Sequence, residues 1–370
     1  MFLDKIELIN FRLHKHTNLN FSENLNYIVG GNGQGKTTIL EGIYYLCTTR
    51  NINQASDSDV VMFGENYFEI NGVFKDLTQN KLKINFSLEA NKKYLYLDNK
   101  QFYRASSVIG KFPVVTLTQS DHAITLGSPA ERRKFIDSVI AQSSEVYLKT
   151  LIDYNKTLRQ RSSLLSQIKE SGNRSLLTQL DAWTDALVEA GTELVKRRKV
   201  FIEKFNEFIR ESYFKVMENK EVPHIEYSFL DEDDPDKIGD VYKQAIAEMR
   251  EQELRRATNL VGPHRDDFIF RINDNELKKF GSQGQHKTFQ IALRFGEFFF
   301  LKEVLNKTPI FLMDDVFGEL DVYRASKISR YLKEIGQAFI TITDFSNLDY
   351  LHRSEDDYKL IVENGSVKYD

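Results

Sequence analysis

The sequence predicts an α/β protein, a head of mixed sheets and helices interrupted by a helical arm. Three stretches carry that expectation. Leu25–Val29 is an apolar run with two β-branched residues, followed by Gly30-Gly31-Asn32-Gly33-Gln34-Gly35-Lys36-Thr37 and then by Thr38–Leu46, apolar at helical spacing. Pro309–Met313 is a second apolar run, ending in Asp314-Asp315. Between them, from Ser128 onward, the texture changes to long helical patterns with few breakers. A chain of 370 residues exceeds the usual size of one core, which makes two lobes the expectation.

In chain order, Leu3, Ile6 and Leu8 alternate with Lys5, Glu7 and Asn10 and predict a first strand over residues 2–10, ended by Asn10-Phe11-Arg12. Residues 65–97 read as short strands with turns, an antiparallel sheet attached to the first strand–loop–helix unit. Pro113–Leu117 is another short buried strand. Ser128-Pro129-Ala130-Glu131 has the pattern of a capping box with Pro in the first turn. Residues 144–170 and 175–215 form two long helices joined at Ser171-Gly172-Asn173, a helical hairpin. The acidic run Asp231–Asp236 marks a loop, a helix follows over 238–256, and strands return near 266–279. Then come helix 285–306, strand Ile310–Met313, helix 321–334 and strand Ala338–Thr343. The expected division is a discontinuous head, 1–126 with 257–370, and an inserted arm over 127–256, about 130 residues and so domain-sized.

Composition narrows the function classes. A net charge of −4 and a pI near 6.1 give no global attraction to nucleic acid, so any such site must be a local basic surface. The single cysteine, Cys47, lies on the apolar face of the helix after the glycine loop, which excludes an internal disulfide and fits a reducing compartment. No signal peptide and no membrane-length apolar stretch is present, and the expectation is a cytoplasmic protein, nucleoid-associated if it meets DNA.

Gly30–Thr37 fits the P-loop pattern of Gly, four residues, Gly-Lys-Thr. Gly30, Gly31, Gly33 and Gly35, with Asn32 and Gln34 between them, let the backbone wrap an oxyanion and turn its N–H groups inward. The helix that starts there adds its positive end. Lys36 is assigned to the β- and γ-phosphates of ATP, Thr37 to Mg²⁺, and Thr38 continues the nucleotide-binding run. Asp314-Asp315 at the end of an apolar strand is the Walker B pattern: Asp314 is assigned to the metal with Thr37, and Asp315 to the attacking water.

Phe280–Thr288 contains Ser282-Gln283-Gly284-Gln285 ahead of a helix and resembles the signature motif of the ABC/SMC ATPase class. Ser282, Gln283 and Gly284 at a helix N-terminus make a second phosphate-directed donor set. The P-loop already surrounds one chain's own phosphates. The second set is explained if it caps the γ-phosphate held by another copy, in an ATP-dependent, isologous homodimer. The Lys36-to-Ser282 interval is too long for a plain transporter motor domain and too short for SMC coiled coils, and the arm lacks sustained heptads. The fold class is therefore a P-loop ABC-type ATPase head with a short helical arm.

The sequence resembles the RecF family of bacterial DNA replication and recombination-repair proteins. The likeness is carried by Asn10-Phe11-Arg12, the P-loop, Gly127-Ser128-Pro129 with Arg132-Arg133, Gly262-Pro263-His264-Arg265-Asp266-Asp267, Ser282–Gln285, Asp314–Phe317 and Thr343-Asp344. The resemblance implies weak, DNA-stimulated ATP hydrolysis, dimerisation on ATP, and binding of double-stranded DNA near single-strand gaps. It also implies work with RecR and RecO in placing RecA. Thr38 and Thr118-Gln119-Ser120-Asp121 depart from the family pattern. Gln119 reads either as a nucleotide-sensing glutamine or as part of a surface turn. His264 and Arg265 either meet nucleotide across the dimer or buttress the loop before Ser282.

For DNA, Lys149, Arg159 and Arg161 on the first arm helix and Lys196-Arg197-Arg198-Lys199 on the second are the candidate contacts, in competition with an ordinary charged helix face. Arg132-Arg133-Lys134 serves either DNA or structure. No aromatic stacking platform or base-reading motif stands out, which points to binding without sequence specificity. The alternative reading is an ABC-type motor serving another effector, a transporter or a nuclease-linked defence system. A duller one is an ATP-binding protein without turnover.

Overall fold

The computed structural model describes residues 1–218, 221–343 and 354–370. Its chain divides into two compact units: Met1–Asp121 with Glu211–Lys220 and Ile291–Asp370, and His122–Arg210 with Glu221–Gln290.

The first unit holds two six-stranded sheets. One is antiparallel throughout and contains β1 (Phe2–Phe11), β2 (His14–Asn20), β4 (Tyr67–Lys75), β5 (Gln79–Ser87), β6 (Lys92–Leu97) and β7 (Lys100–Phe102). Its strands alternate buried and exposed positions, as a sheet with one solvated face must. The other contains β3 (Leu25–Val29), β8 (Val114–Thr118), β12 (Ile310–Asp314), β13 (Ala338–Ile342), β14 (Tyr358–Glu363) and β15 (Ser366–Tyr369). In spatial order it runs β15-β14-β3-β13-β12-β8, parallel except for the β14–β15 hairpin. β13 is buried at every position and β12 up to Asp314, which is why these stretches read as continuous apolar runs instead of alternating ones.

Helix α1 (Lys36–Thr48) supplies the core common to both sheets. Ile39, Ile43, Leu46 and Cys47 share one cluster with Ile6, Leu8, Ile70 and Ile84 of the antiparallel sheet and Ile28, Ile310 and Phe339 of the parallel one. Burial pushes the Cys47 thiol far up, so it is a core side chain. Arg12, at the end of β1, is bound to α1 by Glu41 at 3.2 Å. Gln337 ties the sheets together, its buried amide bonding Leu3 N, Leu3 O and Ser22 O, each at 2.8 Å. Helix α9 (Val322–Leu332) is capped by Asp321, whose carboxylate accepts from Arg324 N.

The second unit is built on α3 (Pro129–Ser143), α4 (Glu145–Ser171), α5 (Leu177–Met217) as far as Arg210 and α6 (Ile238–Arg256), with the short α2 (His122–Leu126). Where the two arm helices meet, Leu164, Leu165 and Ile168 of α4 pack on Leu180 of α5. The unit also holds the sheet β11-β10-β9 (Asn275–Glu276, Phe268–Ile272 and Pro223–Tyr227), α7 (Leu277–Phe280) and the start of α8 (Gln283–Leu305).

Several boundaries differ from the sequence reading for identifiable reasons. Residues 257–290, expected with the head, belong to the helical unit, because β10 pairs with β9 and the 262–267 stretch is bonded to α3, α4 and α5. The expected strand near 277–279 is the single turn α7. At α3, Ser128 has cap geometry but its hydroxyl makes no cap bond; its carbonyl accepts from Glu131 N instead. β2, β9 and the β14–β15 hairpin were missed: His14–Asn20 is largely polar, β9 is a short strand fixed by β10 some way down the chain, and the β14–β15 hairpin carried a local Asn364-Gly365 turn signal that went unread.

Candidate functional site

The C-terminal ends of the parallel strands carry the chemistry, as open α/β sheets require. β3 delivers Gly30 into the loop and α1 leaves from Gly35, whose left-handed φ of 107° closes the turn. The first turn of α1 carries no acidic side chain, so nothing there competes for its unpaired N–H groups. Lys36 is nearly buried and folds over the loop, its Nζ donating to the carbonyls of Gly30 at 2.7 Å and Gly31 at 3.0 Å. Thr38 is buried just behind it.

Because β13 lies between β3 and β12, the end of β12 is brought beside the start of α1. Thr37 Oγ1 donates to Asp314, 2.9 Å from one carboxylate oxygen and 3.1 Å from the other. Thr341 of β13 stands opposite Asp314 in register and donates to it at 2.8 Å. The same Thr341 hydroxyl accepts from Asp315 N at 2.8 Å. Asp315 adopts a left-handed φ of 52° and accepts a hydrogen bond from Thr343 at 3.2 Å. Thr341 was missed in the sequence because a threonine inside an apolar strand reads as filler; only the strand order reveals it. Asp344, the other half of the Thr343-Asp344 pair, lies outside the described residues.

Gln119 opens a short 3₁₀ turn after β8, at the edge of this same sheet. That turn is held from below, where Asp121 accepts from Thr118 N and from Arg294 at 2.6 and 3.0 Å. Arg294 also binds the fully buried Glu297, whose carboxyl burial raises to about 7.

Ser282, Gln283 and Gly284 lie in the second unit. Here the capping box that α3 lacks is complete: Gln285 N donates to Ser282 Oγ at 3.2 Å, and Ser282 N donates to Gln285 Oε1 at 2.9 Å. Ser282 and Gln283 are exposed.

The stretch 262–267 is a hub of the second unit. His264 Nδ1 bonds Tyr154 OH at 2.7 Å, and Arg265 donates to Asn259 O at 2.9 Å. Asp267 receives Arg132 through two bonds of 2.7 and 2.8 Å, and Asp266 accepts from Tyr227 OH at 2.7 Å. Burial lowers His264 to about 4 and raises Asp266 to about 6. Arg133 donates to the Asp266 carbonyl, so Arg132 and Arg133 serve this hub, while Lys134 is exposed.

Two of the basic candidates for DNA are corrected by the structure. Arg161 is 2% exposed, paired with Glu253 at 2.5 Å and bonded to Asn259 and Thr184. Arg198 is equally buried, gripping Asp137 at 2.8 and 2.9 Å and donating to Pro263 O at 2.8 Å. Helical periodicity turns both inward, and a guanidinium buried to 2% exposure and bonded to buried acceptors is not presented to phosphate. Of the rest of the second cluster, Lys199 meets Asp233 at 2.9 Å and Lys196 meets Asp236 at 3.8 Å on the acidic loop, while Arg197 pairs with Glu193 one turn back on α5. Lys149 and Arg159 are exposed on α4.

Comparison with known proteins agrees with this architecture. The family profile described as RecF/RecN/SMC N terminal domain matches residues 2–365. A curated "DNA replication and repair protein RecF" of Chloroherpeton thalassium is 37% identical over 356 residues, covering 93% of this chain and 95% of the relative. The chain belongs to the RecF family. A second RecF relative, from Salinibacter ruber, is 33% identical over 93% of this chain and 85% of its own. Among solved structures, "the recombination mediator protein RecF-ATPrS in RecFOR pathway" superposes with a TM-score of 0.91 at 29% identity, covering 100% of this chain and 98% of that one. A Pyrococcus furiosus Smc head domain superposes at 0.56 with 15% identity, a likeness of fold alone. The chain thus has the RecF/SMC ATPase head fold and belongs among DNA replication and repair proteins. Among the described residues no helix is long and apolar enough to cross a membrane.

Proposed function

We propose that this RecF-family chain is an ATP-dependent DNA-binding mediator of recombinational repair, pairing on ATP and reset by slow hydrolysis. The observation that carries the reading is the Thr37–Asp314 contact beneath the P-loop. A hydroxyl and a carboxylate from elements 277 residues apart are held together where a triphosphate and its counter-ion would meet. ATP is the nucleotide, supported by the superposition on a RecF relative described with an ATP analogue and on another described with ATP.

The donor set suits Mg²⁺. Among the described residues no three His, Cys, Asp or Glu side chains converge as a metal cage. Mg²⁺ is ordinarily held by one or two carboxylates together with substrate phosphates and water. Thr37 and Asp314 would hold it, and when bound it neutralises phosphate charge. Lys36 binds the β- and γ-phosphates, and Gly30–Gly35 with Thr38 line the loop. Asp315 orients the attacking water and receives its proton. Through one hydroxyl, Thr341 fixes the Asp314 carboxylate and the main-chain N–H of Asp315. Ser282, Gln283 and Gly284, already pre-formed as a helix cap, complete the phosphate site of a second copy, so ATP closes a homodimer.

DNA is held through phosphates, with Lys149 and Arg159 as the strongest candidates, because the 196–199 cluster is offset by its acidic neighbours. Double-stranded DNA near a gap is the substrate by family likeness, and RecO, RecR and RecA are the expected partners. The test is light-scattering mass with and without ATP and duplex DNA. Mass should double on ATP and rise again on DNA, with hydrolysis stimulated by the duplex. A monomer throughout, or hydrolysis indifferent to DNA, favours a motor serving another effector.

A further inference from the structure

We propose that His14 is a positioning residue of the nucleotide site: its Nε2–H holds the Gly35 carbonyl and thereby aims the main-chain N–H of Lys36 at bound phosphate. The inference rests on the reading of Gly30–Thr37 as a triphosphate loop. His14 opens β2 and is completely buried. Its Nε2 lies 3.2 Å from Gly35 O and its Nδ1 lies 3.0 Å from Thr17 Oγ1. A carbonyl can only accept, so the proton sits on Nε2, and Nδ1 accepts from the threonine hydroxyl. Both ring nitrogens are satisfied by a neutral imidazole, and burial favours that neutral form.

The consequence is geometric. The Gly35–Lys36 peptide is trans, so its C=O and N–H point in opposite directions. Fixing the oxygen toward His14 turns the Lys36 N–H the other way. That N–H belongs to the first residue of α1 and has no partner within the helix. The preceding residue is held from the β14–β15 turn: Gln34 O accepts from Gly365 N at 2.9 Å, and Gln34 Oε1 accepts from Asn364 N at 2.6 Å. His14 also bonds the Gly365 backbone. The β1–β2 turn and the β14–β15 turn therefore clamp the loop at two consecutive residues, and the phosphate donors are oriented before any nucleotide arrives.

The test compares His14→Gln, whose amide places an N–H near the lost Nε2–H, with His14→Phe and the smaller His14→Leu, which fill space and donate nothing. Calorimetric titration with Mg-ATP should show roughly tenfold weaker binding for the two non-donors, about the value of one neutral hydrogen bond, and near-native binding for His14→Gln. Hydrogen exchange over residues 30–37 in the nucleotide-free proteins should quicken only in the non-donors. Equal behaviour of donor and non-donor variants in both measurements overturns the inference alone. A native protein that binds no ATP overturns the site reading, and the positioning role with it.

Discussion

The hydroxyl of Thr37 and the carboxylate of Asp314 lie within 2.9 Å of each other, although one begins a helix and the other ends a strand three-quarters of the chain away. Only the order β3-β13-β12 brings them together, and Thr341 of the middle strand pins the carboxylate from its other side.

From that contact, Thr37→Ala and Asp314→Asn are each expected to weaken Mg-ATP binding by roughly ten- to a hundredfold, the usual effect of losing a metal-site side chain. Binding measured with EDTA in place of magnesium should change far less. Thr341→Val, which removes the hydroxyl that holds the Asp314 carboxylate and the Asp315 main-chain N–H, should reproduce part of the loss. Equal weakening with and without magnesium would falsify the assignment of the pair to the metal.

Asp315→Asn should keep ATP affinity and lower hydrolysis about a hundredfold or more, the range expected when a positioned base is removed. Dimers should then accumulate in sizing experiments with ATP. A variant that hydrolyses ATP at the native rate removes Asp315 from that role.

Arg161→Met leaves Glu253, itself 1% exposed, as an uncompensated buried charge. Breaking such a pair costs about 3–5 kcal/mol, read as a large fall in melting temperature. Lys149→Glu with Arg159→Glu should instead leave melting unaltered, weaken duplex binding and flatten its salt dependence. Normal DNA binding by the double variant would move the DNA surface elsewhere.

His264 gives a pH dependence of defined sign. Burial holds its folded-state value near 4, below the ordinary 6.5, so the unfolded chain takes up a proton that the native state resists. Its contribution to stability is complete above about pH 6.5 and is lost as pH falls toward 4. His264→Asn, which keeps a polar atom near Tyr154 OH, should be less stable than the native chain at pH 8. That gap should narrow on acidification. Melting curves at both pH values check it, and a gap that is constant or widens in acid contradicts the mechanism.

The P-loop, the Asp314-Asp315 strand end, the long arm helices and the Ser282 loop are all legible in the sequence, because each is a local pattern: glycine spacing, hydrophobic period or a cap with its helix. Family membership followed from the same local motifs. What tertiary structure alone decided is which of these meet and which charges remain outside. Thr341 and His14 look like an ordinary strand threonine and a polar-turn histidine until the sheet order sets one beside Asp314 and the other against Gly35. Arg161 and Arg198 read as surface charge until helix packing closes over them with Glu253 and Asp137. Local propensity acts between near neighbours in sequence, whereas burial and hydrogen-bond partnership depend on strands and helices tens to hundreds of residues apart. That is the physical reason the elements were readable and the partnerships were not.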